Sequence, residues 1–305
     1  MVITERGNGR RPSRGRAGFS EGSTACASGY WFVRGNRICA AAALSLACAL
    51  ASTADARDAT TAATGAPVPE TSSATTAFNG DVDFYSDYVG RGLTFSNGKP
   101  VLQARVEYDW AQGLYGGLAM SNRADILNRE TVEVDLYGGY RKQIDDWSID
   151  VGAISWLYPR SRFDVSNNTY DILEAAVDIT YKSFGVKLWY DLFDYLGLND
   201  ESAWANYHLS PNGSSSGSSY IDSHLSLPVS TRFSVKLHAG HQFIRNYGEL
   251  DYTDWLLGVE QTVGRSFTLG GAYTDTNANE VLYQNPNGLQ IGRRKWLAYL
   301  RWSFP

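Results

Sequence analysis

The sequence predicts an all-β fold, an antiparallel transmembrane β-barrel of about twelve strands with short periplasmic turns and long external loops. Three observations carry this expectation. Apolar and polar residues alternate with period two from Phe78 to Phe304, the pattern of strands whose two faces meet different surroundings. The connections between these segments alternate strictly between short and long, as they do in outer-membrane barrels. An apolar stretch near the N-terminus has the layout of an export signal.

Composition narrows the class further. With 13% aromatic and 19% charged residues and 43% hydrophobic overall, the chain is too aromatic for disorder and not apolar enough for a helical membrane bundle. The formal net charge is −5, and seven Arg fall in residues 1–56 against three acids, so the rest of the chain is more acidic than the whole. An acidic body argues against nucleic acid as a partner. The three cysteines, Cys26, Cys39 and Cys48, all precede residue 56, which leaves no disulfide framework and no thiolate-held metal for the remainder.

Residues 1–56 are expected to be a signal peptide with an extended basic region. Arg34 and Arg37 precede the small apolar run Ile38–Ala51, and Ala54-Asp55-Ala56 supplies the cleavage triplet. The run is shorter than the roughly 18 apolar residues a spanning helix needs. The Arg-rich first 30 or so residues are read as lying upstream of the true start. Residues 57–77, rich in Thr, Ala and Pro, are expected to be a disordered periplasmic leader, and 78–305 the barrel.

In chain order, strands are expected near 79–90, 101–110, 113–121, 131–142, 146–157, 170–182, 184–194, 219–227, 232–243, 252–263, 266–275 and 294–304. In the second, Leu102, Ala104, Val106, Tyr108 and Trp110 oppose Gln103, Arg105, Glu107 and Asp109. In the fourth, Val132, Val134, Leu136 and Tyr140 oppose Glu133, Asp135, Tyr137 and Arg141. Phe233, Val235, Leu237 and Ala239 oppose Ser234, Lys236 and His238 in the ninth; Trp296, Ala298, Leu300, Trp302 and Phe304 oppose Lys295, Leu297, Tyr299, Arg301 and Ser303 in the last. Short connections lie at 111–113, 143–145, 183, 228–230 and 264–265; long ones at 91–100, 122–130, 158–169, 195–218, 244–251 and 276–293. The Ser-rich run 210–219 sits in a long loop and is not expected to pack a core. The count of twelve treats Ser202–Ser210 as loop; ten and fourteen are the alternatives.

A soluble sandwich or closed barrel would also alternate, with its apolar residues inside. The export signal and the missing downstream cysteines favour the membrane instead. So does a set of aromatics at strand ends, Tyr108, Trp110, Tyr140, Trp147, Tyr158, Trp255, Tyr273 and Trp302, placed as an interfacial girdle would be. Terminal Trp302-Ser-Phe304 is similar to the aromatic last strand that barrel-assembly machinery reads, although Pro305 follows it. With the apolar stripe towards lipid, the opposite stripe gives the pore-lining candidates Asp81, Asp83, Asp87, Arg91, Arg105, Glu107, Glu133, Asp135, Arg141, Lys236, His238, Glu260 and Arg301, with Asp150, Glu174, Asp178, Lys187 and Asp191 on the same face. Such charges are either paired in a closed interior or line a wet channel.

At the first strand the run Gly80-Asp-Val-Asp-Phe-Tyr-Ser86-Asp87-Tyr88-Val-Gly-Arg91-Gly92-Leu-Thr-Phe-Ser96, followed by Lys99-Pro100-Val-Leu-Gln103, resembles the TorF-type porin family of proteobacterial outer membranes. The similarity extends over 78–304 through Gly113-Leu-Tyr115-Gly-Gly, Ser121-Asn122, Val134-Asp-Leu-Tyr137-Gly-Gly-Tyr140 and Gly240-His241. Gly90 stands where that pattern has a bulkier residue, and the Ser-rich loop looks inserted. The resemblance implies a pore and names no solute. Within the motif, Asp87 and Arg91 are expected on one strand face, roughly 13 Å apart if the strand is unbent.

The expected function is therefore an outer-membrane channel for passive diffusion of small solutes or ions, cation-favouring, in a Gram-negative bacterium. Its partners would be outer-membrane lipid, the barrel-assembly machinery and the permeating solutes, with no cofactor and no metal. A non-conducting structural or adhesive barrel is one alternative. An outer-membrane lipid hydrolase is the other, since His224 and Ser226 share a face at i and i+2 as a nucleophilic pair would. Leu227-Pro228 stands where the phospholipase motif has Asn-Gly, and the pair would face the lumen rather than the bilayer. His238 and His241, at i and i+3, point to opposite faces and make a poor metal pair.

Overall fold

The computed structural model describes residues 77–124, 130–159, 161–162, 168–285 and 287–305. The expected signal of 1–56 and all of the 57–77 leader except Ala77 lie outside the described residues. The alternating segments form β1 (Ala77–Tyr85), β2 (Val101–Asp109), β3 (Leu114–Ala124), β4 (Glu130–Ile144), β5 (Trp147–Leu157), β6 (Ile172–Tyr181), β7 (Phe184–Asp191), β8 (Ser219–Pro228), β9 (Phe233–Phe243), β10 (Tyr252–Val263), β11 (Phe267–Thr276) and β12 (Lys295–Phe304). Each pairs antiparallel with its neighbours in sequence, and β1 closes the barrel on β12, from Gly80 opposite Phe304 to Tyr85 opposite Tyr299. Closure leaves no strand edge to expose unpaired amides to hydrocarbon. The count of twelve holds, because Asp200–Ser202 and Ala203–Tyr207 are short helical turns rather than a strand.

The alternation reads directly as inside and outside. Along β7, Phe184, Val186, Leu188 and Tyr190 are exposed while Gly185, Lys187, Trp189 and Asp191 are buried. The apolar face points outward and the charged face inward, the reverse of a soluble barrel. Aromatic pairs mark both rims: Tyr108 with Trp110 and Trp147 with Tyr181, each with ring centroids 4.8 Å apart, at the short-turn end, and Tyr273 with Trp296 at 5.1 Å at the long-loop end. Tyr158 does not belong to this girdle. It keeps the inward parity of Ile154 and Trp156 and is buried against Tyr170.

The long loops fold over one end of the barrel. Leu196, Leu198, Ala203, Leu209, Tyr247, Leu250, Tyr283 and Ile291 bury one another there. The Ser-rich stretch takes part after all, through hydroxyls rather than apolar surface. Ser215 Oγ donates to Leu198 O at 2.6 Å and accepts from Tyr195 N at 2.9 Å, and Ser218 Oγ donates to Ser215 O at 2.6 Å.

The first strand departs most from expectation. It ends at Tyr85 instead of running to residue 90, and the following segment does not remain an external loop. It enters the lumen as a two-stranded hairpin, Val89–Gly90 against Leu93–Thr94, turning at Arg91 and Gly92 with φ of 48° and 74°. Positive φ at both central residues is the type I′ geometry, whose twist matches a β-hairpin. A Cβ at Gly92 would lie 2.7 Å from Asp254 Cβ, so only glycine allows the tip to sit against β10. Asp87 is the reason the chain turns: its carboxylate accepts from Thr94 Oγ1, from Ser96 Oγ at 2.7 Å and from Gly98 N at 3.3 Å. Asp87 and Arg91 thus share no strand face; one ties the base of the hairpin and the other forms its tip.

Candidate functional site

The lumen has two levels, set by where along the strands the inward residues fall. Near the short turns it is a ladder of ion pairs. Arg105 pairs with Asp81, which also accepts from Ser303 Oγ at 2.6 Å, and Arg301 Nε donates to Asp83 Oδ1 at 2.8 Å. Arg141, 2% exposed, spans Glu107 at 2.8 Å, Asp109 at 3.1 Å and Asp150 at 3.0 Å. Its guanidinium carbon lies 3.5 Å from the Tyr115 ring centroid. Lys236 Nζ lies 3.2 Å from Glu260 and donates to Ser226 Oγ at 2.8 Å. Cross-strand register brings these groups together, since β1 sets Asp81 opposite Arg105 and Ser303.

Nearer the long loops, the hairpin tip carries Arg91 across the barrel from β1 to the wall formed by β5 to β9. Its Nη2 donates to both carboxylate oxygens of Glu174 at 2.8 Å, and Nη1 to Gln242 Oε1 at 3.0 Å. The guanidinium carbon stands 4.6 Å from the Tyr220 ring centroid, 5.5 Å from Trp189 and 5.9 Å from Trp156. Burial opposes the charge, but Glu174 and Asp191 outweigh it and push the Arg91 guanidinium above its ordinary pKa. Lys295 Nζ donates to Gly92 O at 3.0 Å, and Thr94 N to Ile291 O at 2.9 Å, so the hairpin is also held along its own backbone.

Beside the cage, His238 lies between two carboxylates, Nδ1 2.8 Å from Asp222 and Nε2 2.7 Å from Asp254. Tyr220 donates to Asp254 at 2.8 Å. Glu133 accepts from Tyr88 at 2.7 Å; Asp135 stands opposite Ala119 and Trp156 on the same inner face, half-buried. A cavity of about 230 Å3 runs past the hairpin, lined among others by Arg91, Glu133, Trp156, Asp178, Lys187, Trp189, Tyr220, Asp222, His238 and Asp254. The pair considered for catalysis is not assembled. His224 lies 4.0 Å from Asp178 and 3.8 Å from Asp222, and Ser226 Oγ accepts from Lys236 rather than from the imidazole.

The family model described as a bacterial protein of unknown function (Gcw_chp) matches residues 69–304, the barrel and a few residues before it. The chain belongs to the Gcw_chp family. No curated protein matches it. Among solved structures, a KdgM porin in complex with disordered oligogalacturonate is similar at 6% identity, covering 76% of this chain and 100% of that one with a TM-score of 0.45. A NanC porin is similar at 12% identity, covering 75% and 100% with a TM-score of 0.45. Outer membrane phospholipase A from Escherichia coli is similar at 11% identity, covering 74% and 89% with a TM-score of 0.38.

In this Gcw_chp chain the Ser86-to-Ser96 motif is the lumen hairpin, and its Asp and Arg have separate tasks. Trp156, Trp189, Tyr220, Asp222, Gln242 and Asp254 were not among the sequence candidates, although each shares inward parity with a charged residue or a histidine on its own strand. The cage also needs Gly240 opposite Asp254 and Asp222, because a Cβ there would lie 2.9 Å from Tyr220 Cε2 and nearer still to the phenol oxygen. Gly240→Val is expected to push the ring away and lower barrel stability by about 1–3 kcal/mol, the usual cost of overpacking. An unchanged urea midpoint for detergent-refolded protein would disprove it.

Proposed function

We propose that this protein is an outer-membrane channel for small solutes or ions, favouring cations and narrowed by the Arg91 hairpin. The observation that carries the reading is the closed barrel with its apolar face outward and a charged cavity beside a loop folded into its lumen. A barrel that served only to span the membrane would have no need to send its first loop inside. The resemblance of the hairpin motif to TorF-type porins supports the same reading. In it, residues 1–56 direct export, the barrel-assembly machinery inserts the chain in the outer membrane of a Gram-negative bacterium, and the inward residues from Asp81 to Arg301 line the path.

Planar-bilayer recording of the refolded barrel tests it. Discrete conductance steps are the expected result. Silence from protein that still shows the heat-modifiable mobility of a folded barrel would overturn it. That outcome favours a plugged structural barrel, for which the apolar packing of the long loops over one end speaks.

Selectivity is expected to follow the carboxylates that line the cavity, because wall charge concentrates counter-ions. Asp81 and Asp83 are tied to Arg105 and Arg301, and Asp87 is tied into the hairpin base, so neutralising those three would disturb structure as well as charge. Asp178 is the better test, lining the cavity with His224 4.0 Å away. Across an about tenfold KCl gradient the wild-type zero-current potential should have the cation-selective sign, within the ideal limit of about 59 mV. Asp178→Asn should move it towards anions. An anion-selective wild type would remove the basis of this expectation.

A further inference from the structure

The lumen cage around Arg91 holds one guanidinium against two carboxylates. Glu174 and Asp191 stand directly opposite each other on β6 and β7, and their exposures are 1% and 0%. Arg91 satisfies Glu174, whereas no nitrogen or hydroxyl donor among the described residues reaches either carboxylate oxygen of Asp191, whose neighbours are the Glu174 carboxyl and the Arg91 charge. A fully buried carboxyl that faces a second acid and receives no protein donor is costly. The cage therefore has the capacity to bind more donors than Arg91 supplies.

Arg91 is also a poor residue for its turn. Type I′ turns favour Asn-Gly or Asp-Gly because both central residues adopt positive φ, and here a long side chain takes φ of 48°. The hairpin does not need it, since Asp87, Lys295 and the Thr94 to Ile291 hydrogen bond already hold the loop. Backbone strain kept at a site points to function. What Arg91 delivers to the wall is a planar cation, received by a carboxylate across both its oxygens, by an amide oxygen and by three aromatic faces. These are the elements that recognise a guanidinium.

We propose that this cage is a solute site for small guanidinium cations, which Arg91 occupies in the closed state and from which such solutes displace it. The proposal rests on the channel reading for its role in permeation, and its test is chosen so that binding and conduction are measured separately. The test uses Arg91→Asn, which restores the preferred turn sequence with a side chain too short to reach Glu174, and Arg91→Ala as the second variant.

Full-length refolded barrels are titrated in detergent with millimolar guanidinium chloride, with sodium and tetramethylammonium chloride as comparisons. Tryptophan fluorescence reports on Trp156 and Trp189, and thermal unfolding reports on ligand-linked stability. Both variants should give a saturable response to guanidinium at least about tenfold tighter than to sodium. Wild type should respond at least about tenfold more weakly, because Arg91 competes. Adding Glu174→Gln to either variant should abolish saturation. No saturable response in either variant, or equal response to tetramethylammonium, would overturn the proposal; the second result would mean a plain aromatic box without the donor-reading carboxylates. If bilayers show no conductance while the titration saturates, the channel reading fails and the cage stands. If conductance is present and guanidinium fails to block the Arg91→Asn pore, the solute assignment falls.

Discussion

Arg141→Met should be the most destabilising single substitution in the barrel, lowering its stability by about 3–5 kcal/mol. Arg141 is surrounded by Glu107, Asp109 and Asp150 and is almost wholly buried. Methionine fills most of the volume and removes the charge, leaving three carboxylates to face one another in the interior. Arg105, 4.0 Å from Glu107, is already committed to Asp81 and can compensate only in part. Arg141→Lys should fall between wild type and Arg141→Met, because a single ammonium cannot span three acids as the planar fork does. Urea unfolding followed by heat-modifiable mobility measures the loss, and a midpoint within error of wild type would show that water, rather than Arg141, screens these acids.

Insertion into a bilayer should distinguish the two faces of the same strands. Leu136 and Leu257 lie near the middle of β4 and β10 and are 44% and 53% exposed on the outside. An arginine on the lipid face near midplane costs about 2–4 kcal/mol, so Leu136→Arg and Leu257→Arg should sharply reduce folding yield into liposomes. His238→Arg should fold nearly as well as wild type, since a cation at that position remains between Asp222 and Asp254. Tyr137 is no neutral control despite its inward parity, because its ring packs closely over Gly117. Equal yields for the leucine and histidine variants would contradict the assignment of inside and outside.

The strands and their orientation were legible in the sequence because period-two alternation is local. Lys187 and Asp191 necessarily share a face with Trp189, whatever the rest of the chain does. The same rule places Tyr158 inside, against the girdle position its place at a strand end suggests, because aromatics at strand ends serve both environments. The ion-pair ladder was partly legible, in that the inward stripe carried both signs, but register decides which acid meets which base. Asp81 finds Arg105 only because β1 pairs with β2 in one alignment.

What the tertiary structure alone decided is the course of residues 86–100. In sequence this run continues an alternating strand and then becomes a polar loop, and nothing local distinguishes an external loop from one folded into the barrel. Asp87, Thr94, Ser96 and Gly98 close the hairpin base through side-chain hydrogen bonds. Its direction is settled by partners far along the chain, Glu174, Tyr220, Gln242 and Lys295, which meet Arg91 and Gly92 only once the barrel is closed. Alternation is a property of neighbouring residues and survives in any barrel built from them, whereas a contact across the lumen exists only when every strand between its two ends has taken its place.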